Sequence, residues 1–119
     1  MSKSQRDKGA NAEREVANII KQHGFTARRG QVFNHEPDIV TDMPFHFEVK
    51  RQETTKLSDW FKQSEEAAKG KIPVVVHRRS RQPWMITMRF EDWLDNILPH
   101  YDGDFLEIDI PVEDDLPFN

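Results

Sequence analysis

The chain has 119 residues, enough for one domain with a modest core, and a mean hydropathy of -0.80 with 36% hydrophobic residues predicts a large polar surface. Without cysteine, disulfides, zinc–thiolate sites and thiol nucleophiles are excluded. The formal net charge of -4 is unevenly spread: residues 102–119 hold seven acids and no Lys or Arg, whereas residues 1–101 hold 17 bases against 14 acids, a net of +3.

No apolar run approaches the length of a membrane-spanning helix. The polar start, Met1 to Lys8, reads as no signal peptide, so a cytosolic protein is expected. A mildly basic body suits a polyanionic partner.

In chain order, Ala12, Val16, Ile19 and Ile20 predict a helix over 8–23 that stops at Gly24. A strand is expected over 25–29, followed by Gly30. Two more strands, 38–41 and 45–51, are expected on either side of a hairpin turn at Asp42-Met43-Pro44. Ser58 suits the N-cap of a helix running to Lys69, with Gly70 ending it. Residues 72–77 and 84–88 read as strands, the first with Pro near its start, and Arg78 to Gln82 as a basic turn between them. A helix over 90–98 closes at Pro99. The order α-β-β-β-α-β-β-α predicts an α/β core over residues 1–101. In the acidic tail, 102–119, a short strand is expected at 105–110 and disorder beyond Pro111.

Within this frame, Pro37-Asp38 precedes Glu48-Val49-Lys50, the PD…(D/E)xK pattern of metal-dependent nucleases. On a strand, Glu48 and Lys50 share one face while Val49 points to the core. A hairpin would bring Asp38 beside Glu48. Both carboxylates can then converge on one divalent cation, with Lys50 beside a phosphate.

Lys8-Gly9 with Glu13-Arg14-Glu15, then Gly24-Phe25 with arginines, then Pro37-Asp38-Ile39-Val40 and Phe47-Glu48-Val49-Lys50, resembles the archaeal and phage-type Holliday junction resolvases from about Lys8 to Trp93. The resemblance implies a restriction-endonuclease-like core, a mixed central sheet flanked by helices, in a dimeric nuclease that uses Mg2+ or Mn2+. It implies catalytic roles for Glu13, Asp38, Glu48, Lys50 and Gln63, with Glu13, Asp38, Glu48 and Val49 at the metal. Glu13 and Glu15, two apart on a helix, face different ways, so only one reaches the site; the match selects Glu13. Magnesium takes hard oxygen ligands and keeps several waters, one of which can attack phosphorus in line. Lys50 either stabilises the developing charge or helps deprotonate the water. One metal or two is open.

Arg14, Arg28, Arg29 and Arg51 lie beside motif residues and suit phosphate contacts. Lys8 is expected where a helix N-terminus meets a phosphate. Arg78, Arg79 and Arg81 read as a second DNA contact or a solubilising turn. His35 is expected in a loop without a metal role. Trp60, Trp84 and Trp93 are expected in the core or, like Phe61, at a dimer interface. The stretch Gly30 to Glu36 is shorter than the junction-engaging loop of the resolvases, which bears on junction selectivity more than on cleavage. Glu113 to Phe118 resembles the acidic tip of bacterial single-stranded-DNA-binding proteins, implying either recruitment of a replication or repair partner or competition with DNA. The reading is a DNA endonuclease, most like a Holliday junction resolvase, in a bacterial or phage-infected cell. The alternatives are another nuclease of recombination, repair or defence, a non-catalytic DNA-binding module, and an α/β interaction protein with no nucleic-acid role.

Overall fold

The computed structural model describes residues 2–101. The strand expected at 105–110 and the acidic tail lie outside the described residues.

Helix α1 (Lys3–Gln22) starts earlier than its apolar spacing predicts. The reason is a polar cap: Ser2 Oγ accepts from the Gln5 N–H and Gln5 Oε1 accepts from the Ser2 N–H, each at 3.2 Å. This reciprocal pairing satisfies two amide donors that would otherwise be orphaned. At the far end Gly24, with φ 91°, turns the chain out of the helix.

β1 (Ala27–Arg29) and β2 (Ile39–Thr41) form an antiparallel ribbon with Arg28 opposite Val40. β3 (Phe45–Arg51) pairs in parallel with β4 (Ile72–Arg78), in register from Phe45 opposite Ile72 to Arg51 opposite Arg78. β4 also pairs antiparallel with β5 (Met85–Thr87), so this sheet is mixed, in the order β3-β4-β5. A parallel pair needs a crossover, and α2 (Leu57–Ala67) supplies it. α3 (Phe90–Asn96) and a 3-10 turn at Leu98–His100 follow.

Two local expectations are corrected. β2 does not fold back as the ladder partner of β3; it pairs with β1, and the Pro44 carbonyl instead accepts from the Ile72 N–H at 2.8 Å, setting β3 on β4. Ser58 is not the N-cap of α2, which starts at Leu57 after Lys56 and has no side-chain cap. That helix ends at Ala67, two residues before the expected Lys69, and the chain then turns through left-handed backbone at Lys69 and Gly70.

The register divides the sheet into two faces. Val49, Val74 and Val76 pack with Ala12, Val16 and Ala17 of α1 and with Ala27 and Ile39 of the ribbon. On the other face, which carries Glu48 and Lys50, α2 packs through Trp60, 5.9 Å from the His77 ring, and through Ser64. Ser64 is fully buried, and its hydroxyl lies 3.2 and 3.3 Å from the carbonyl oxygens of His46 and Val74. Pro73 is tolerated in β4 because β5 begins pairing only at Val75, beyond the position where its missing N–H would be needed. Helices therefore cover both faces of a mixed sheet, the restriction-endonuclease-like arrangement expected. Trp60 is buried in this core, which removes it from any dimer surface. Among the described residues no helix is long and apolar enough to cross a membrane.

Candidate active site

The free edge of β3 gathers the motif residues. Gln52 N–H reaches Arg78 O across the ladder at 3.2 Å. Alternation along the strand turns the Val49 N–H to the opposite edge, where it donates to Asp38 Oδ2 at 2.9 Å.

Asp38 is held there by Gly30. The Gly30 N–H donates to Asp38 O at 3.0 Å, and a Cβ built on Gly30 would lie 1.7 Å from Pro37 O. Only a residue without a side chain permits that approach.

α1 brings Glu13 from one face of the sheet. It stands beside Asp38, and its Oε1 lies 3.4 Å from Arg29 Nε. Glu48 comes from the other face, with Oε2 3.9 Å from Lys50 Nζ and Oε1 3.6 Å from His46 Nε2.

Burial, then the Glu48 charge, then Glu13 push Asp38 up to about 7, against the opposing Val49 N–H. Burial also raises Glu13, opposed by Arg29. Three partly buried carboxyl groups offer the oxygen donors that a hard divalent cation takes, and a cation there would displace the proton that burial favours on Asp38 and Glu13. The Val49 side chain is in the core, so only its carbonyl oxygen could join them. Among the described residues, however, no three acidic or histidine side chains stand at mutual chelating distance. Glu13 pairs with Arg29, Asp38 accepts from the Val49 N–H, and Glu48 lies towards Lys50 and His46.

These side chains line a cleft of about 680 Å³ that also takes Lys8, Arg29 and Arg51 along its walls. Lys8 stands in the second turn of α1, not at the helix N-terminus, because the helix begins at Lys3. Arg51 lies opposite Arg78 in the ladder, and its buried Nε has no hydrogen-bond partner.

The remaining sequence candidates stand elsewhere. Gln63 is exposed on α2 and outside the cleft lining. Arg14 is exposed and bonds Asn11 Oδ1 at 2.9 Å. Arg28 is turned to Glu36, making two bonds at 3.0 and 2.6 Å. Glu15 faces away from Glu13: it accepts from Trp84 Nε1 at 2.8 Å and pairs with Arg78 at 3.4 Å, while Arg78 also lies over the Trp84 ring. Arg78 is thus part of β4 and of a structural clasp, not of the basic turn. His35 lines a separate cleft of about 370 Å³.

His46 is the site neighbour that motif reasoning passed over. It is buried and shares the Glu48 face, a placement that its position two residues before Glu48 already implied.

A family model described as "Phage putative PDDEXK endonuclease" matches residues 4–115. The solved structure of Archaeoglobus fulgidus Hjc, a Holliday junction resolvase from an archaeal hyperthermophile, is similar with a TM-score of 0.54 and 27% sequence identity, over 68% of this chain and 72% of that one. No curated protein matches the sequence. With the match spanning most of the chain and the acids and Lys50 of the PD…(D/E)xK pattern meeting in one cleft, the chain belongs to the phage PDDEXK endonuclease family.

Proposed function

We propose that this protein is a Mg2+- or Mn2+-dependent DNA endonuclease that cuts Holliday junctions as a homodimer. The observation that carries the reading is the meeting of Glu13, Asp38, Glu48 and Lys50 at the free edge of β3, in a cleft walled by Lys8, Arg29 and Arg51. The resolvase as structural neighbour favours branched DNA as substrate.

In this mechanism Glu13, Asp38, Glu48 and the Val49 carbonyl would hold the ion, which when bound would supply an acidified water and charge neutralisation at the phosphate. Lys50 Nζ, near the carboxylates, stabilises the negative charge that develops on phosphoryl oxygens. Arg29, beside Glu13, and Arg51, on the cleft wall, orient the strand through its phosphates. Gln63 takes a supporting role only if α2 shifts towards the cleft on binding.

In the homodimer a second copy would cover the exposed apolar residues of β5 and α3, Met85, Ile86 and Phe90 among them. The tail tip, Glu113 to Phe118, would recruit a replication or repair protein in the cytoplasm of a bacterial or phage-infected cell; deletion of 112–119 tests it by partner binding.

Cleavage of a synthetic four-way junction in Mg2+, beside linear duplex, flap and single strand, tests the main reading. Paired symmetric nicks near the branch, absent in Asp38→Asn, are expected. Equal cutting of every substrate would move the function to general DNA processing. Binding without cleavage in either metal would make the protein a non-catalytic DNA-binding module.

A further inference from the structure

At the cleft mouth the chain exposes two adjacent apolar side chains. Val32 and Phe33 are 75% and 78% exposed, and Val32 lines the cleft that holds Glu13 and Asp38. Single exposed apolar residues are common on protein surfaces. These two differ in how the loop beneath them is built.

The segment between β1 and β2 is braced throughout. Glu36 accepts both Arg28 bonds and the Gln31 N–H at 2.9 Å, and the arginine holds its carboxyl down to about 2. The Glu36 N–H returns to Gln31 O at 3.3 Å. Asn34 Nδ2 donates to Gln31 Oε1 at 2.8 Å, and the 3-10 turn Val32–Asn34 closes with His35 in left-handed backbone at φ 55°. At its base Gly30 packs against Pro37. The bracing therefore holds an apolar tip out to solvent, next to a basic cleft. Ordering an aromatic ring before contact lowers the entropy cost of binding.

We propose that Phe33 stacks on a base of the DNA strand whose backbone lies in the cleft, and that it thereby selects DNA with unpaired or readily unstacked bases, such as a branch point. This inference rests on the DNA-nuclease reading. Every base presents a π-face, so an aromatic platform accepts it without regard to sequence. In continuous duplex the base must first leave its stack, which costs energy; at a branch much of that cost is absent. Arg28 is thereby a positioning residue for the Phe33 loop rather than a phosphate contact.

The test uses a four-way junction and a matched linear duplex with 2-aminopurine at single positions across the branch or centre. Both are bound by full-length protein in the Asp38→Asn background so that the DNA stays intact, while wild-type protein is assayed for cleavage in parallel. The expected result is a large change in 2-aminopurine emission at one or two branch-proximal positions. Phe33→Ala should lose that change and Phe33→Tyr should retain it. Phe33→Ala should also lower the preference for junction over duplex by about tenfold, within the range of base-stacking energies. An unchanged emission signal with Phe33→Ala overturns the stacking role, and the nuclease reading stands if wild-type protein still cuts. A change in the sedimentation of DNA-free protein with Phe33→Ala, without a change in the fluorescence signal, assigns Phe33 to self-association and also overturns it. If wild-type protein neither binds nor cuts any of the DNAs, both readings fall.

Discussion

The Val49 N–H donates to Asp38 Oδ2 at 2.9 Å. A side-chain carboxylate therefore stands at the edge of β3 where a neighbouring strand's carbonyl would otherwise pair. This bond brings Asp38 to Glu48 although β2 and β3 share no ladder. It also ties the site to the backbone, because the same residue that anchors Asp38 sends its side chain into the core.

Gly30→Ala follows from this anchor. A methyl 1.7 Å from Pro37 O must push the Pro37-Asp38 backbone away. We expect destabilisation of about 2 kcal/mol in urea melts, and loss of most cleavage, because Asp38 moves from β3. Wild-type cleavage in the variant would show that this approach is not required.

Glu13 and Glu15 should separate by phenotype. Glu13→Ala is expected to abolish cleavage with little loss of stability, since burial and the neighbouring Glu48 charge already oppose an ionised Glu13. Glu15→Ala leaves Trp84 Nε1 and Arg78 without their acceptor, a cost of about 1–2 kcal/mol, and should still cut at temperatures where it is folded. Melting curves paired with single-turnover cleavage distinguish the two.

The pH dependence of the metal-free protein has a definite sign. The Asp38 carboxyl is raised from 3.8 to about 7 on folding, so its contribution to stability is full below the unfolded value and is lost as pH rises through about 7. Metal-free wild type should therefore be less stable at pH 8 than Asp38→Asn, by about 2 kcal/mol. Mg2+ at pH 8 should raise the wild-type Tm through binding linkage and raise that of Asp38→Asn less. Equal shifts in both proteins would place the ion elsewhere.

Arg51 and Arg28 should differ in salt dependence. Arg51 lines the cleft, so Arg51→Ala should reduce the slope of log K against log salt by about 1. Arg28 is neutralised by Glu36, and Arg28→Ala should leave that slope near the wild-type value. Titrations on one duplex at several salt concentrations measure both.

Self-association should map to the outer strand. Ile86 is 60% exposed on β5, the edge strand beyond β4. Ile86→Lys is expected to shift a dimer to monomer in sedimentation while leaving the melting curve of the monomer nearly unchanged, since edge charge opposes strand-to-strand contact. A wild-type protein that sediments as a monomer at every concentration would remove the homodimer from the proposal.

The chain order of helices and strands, the α/β class and the shared face of Glu48 and Lys50 were legible in the residues themselves, because each follows from local periodicity and short-range turn chemistry. β3 has the bounds its alternation predicts, and Gly70 takes the left-handed backbone of the turn that follows α2. What local pattern cannot carry is pairing across distance. Only the tertiary structure decided that β2 pairs with β1, that Arg28 braces a loop instead of facing the cleft, and that Glu15 and Arg78 clasp Trp84. Each of these depends on which partner lies closest in space, and the competing partners are many residues apart: Glu15 meets Trp84 across 69 positions. Asp38 shows both sides of that division. Its residue type and motif led to the expectation of a metal ligand, but its elevated pKa arises from burial and from two other carboxylates that only the folded chain brings beside it.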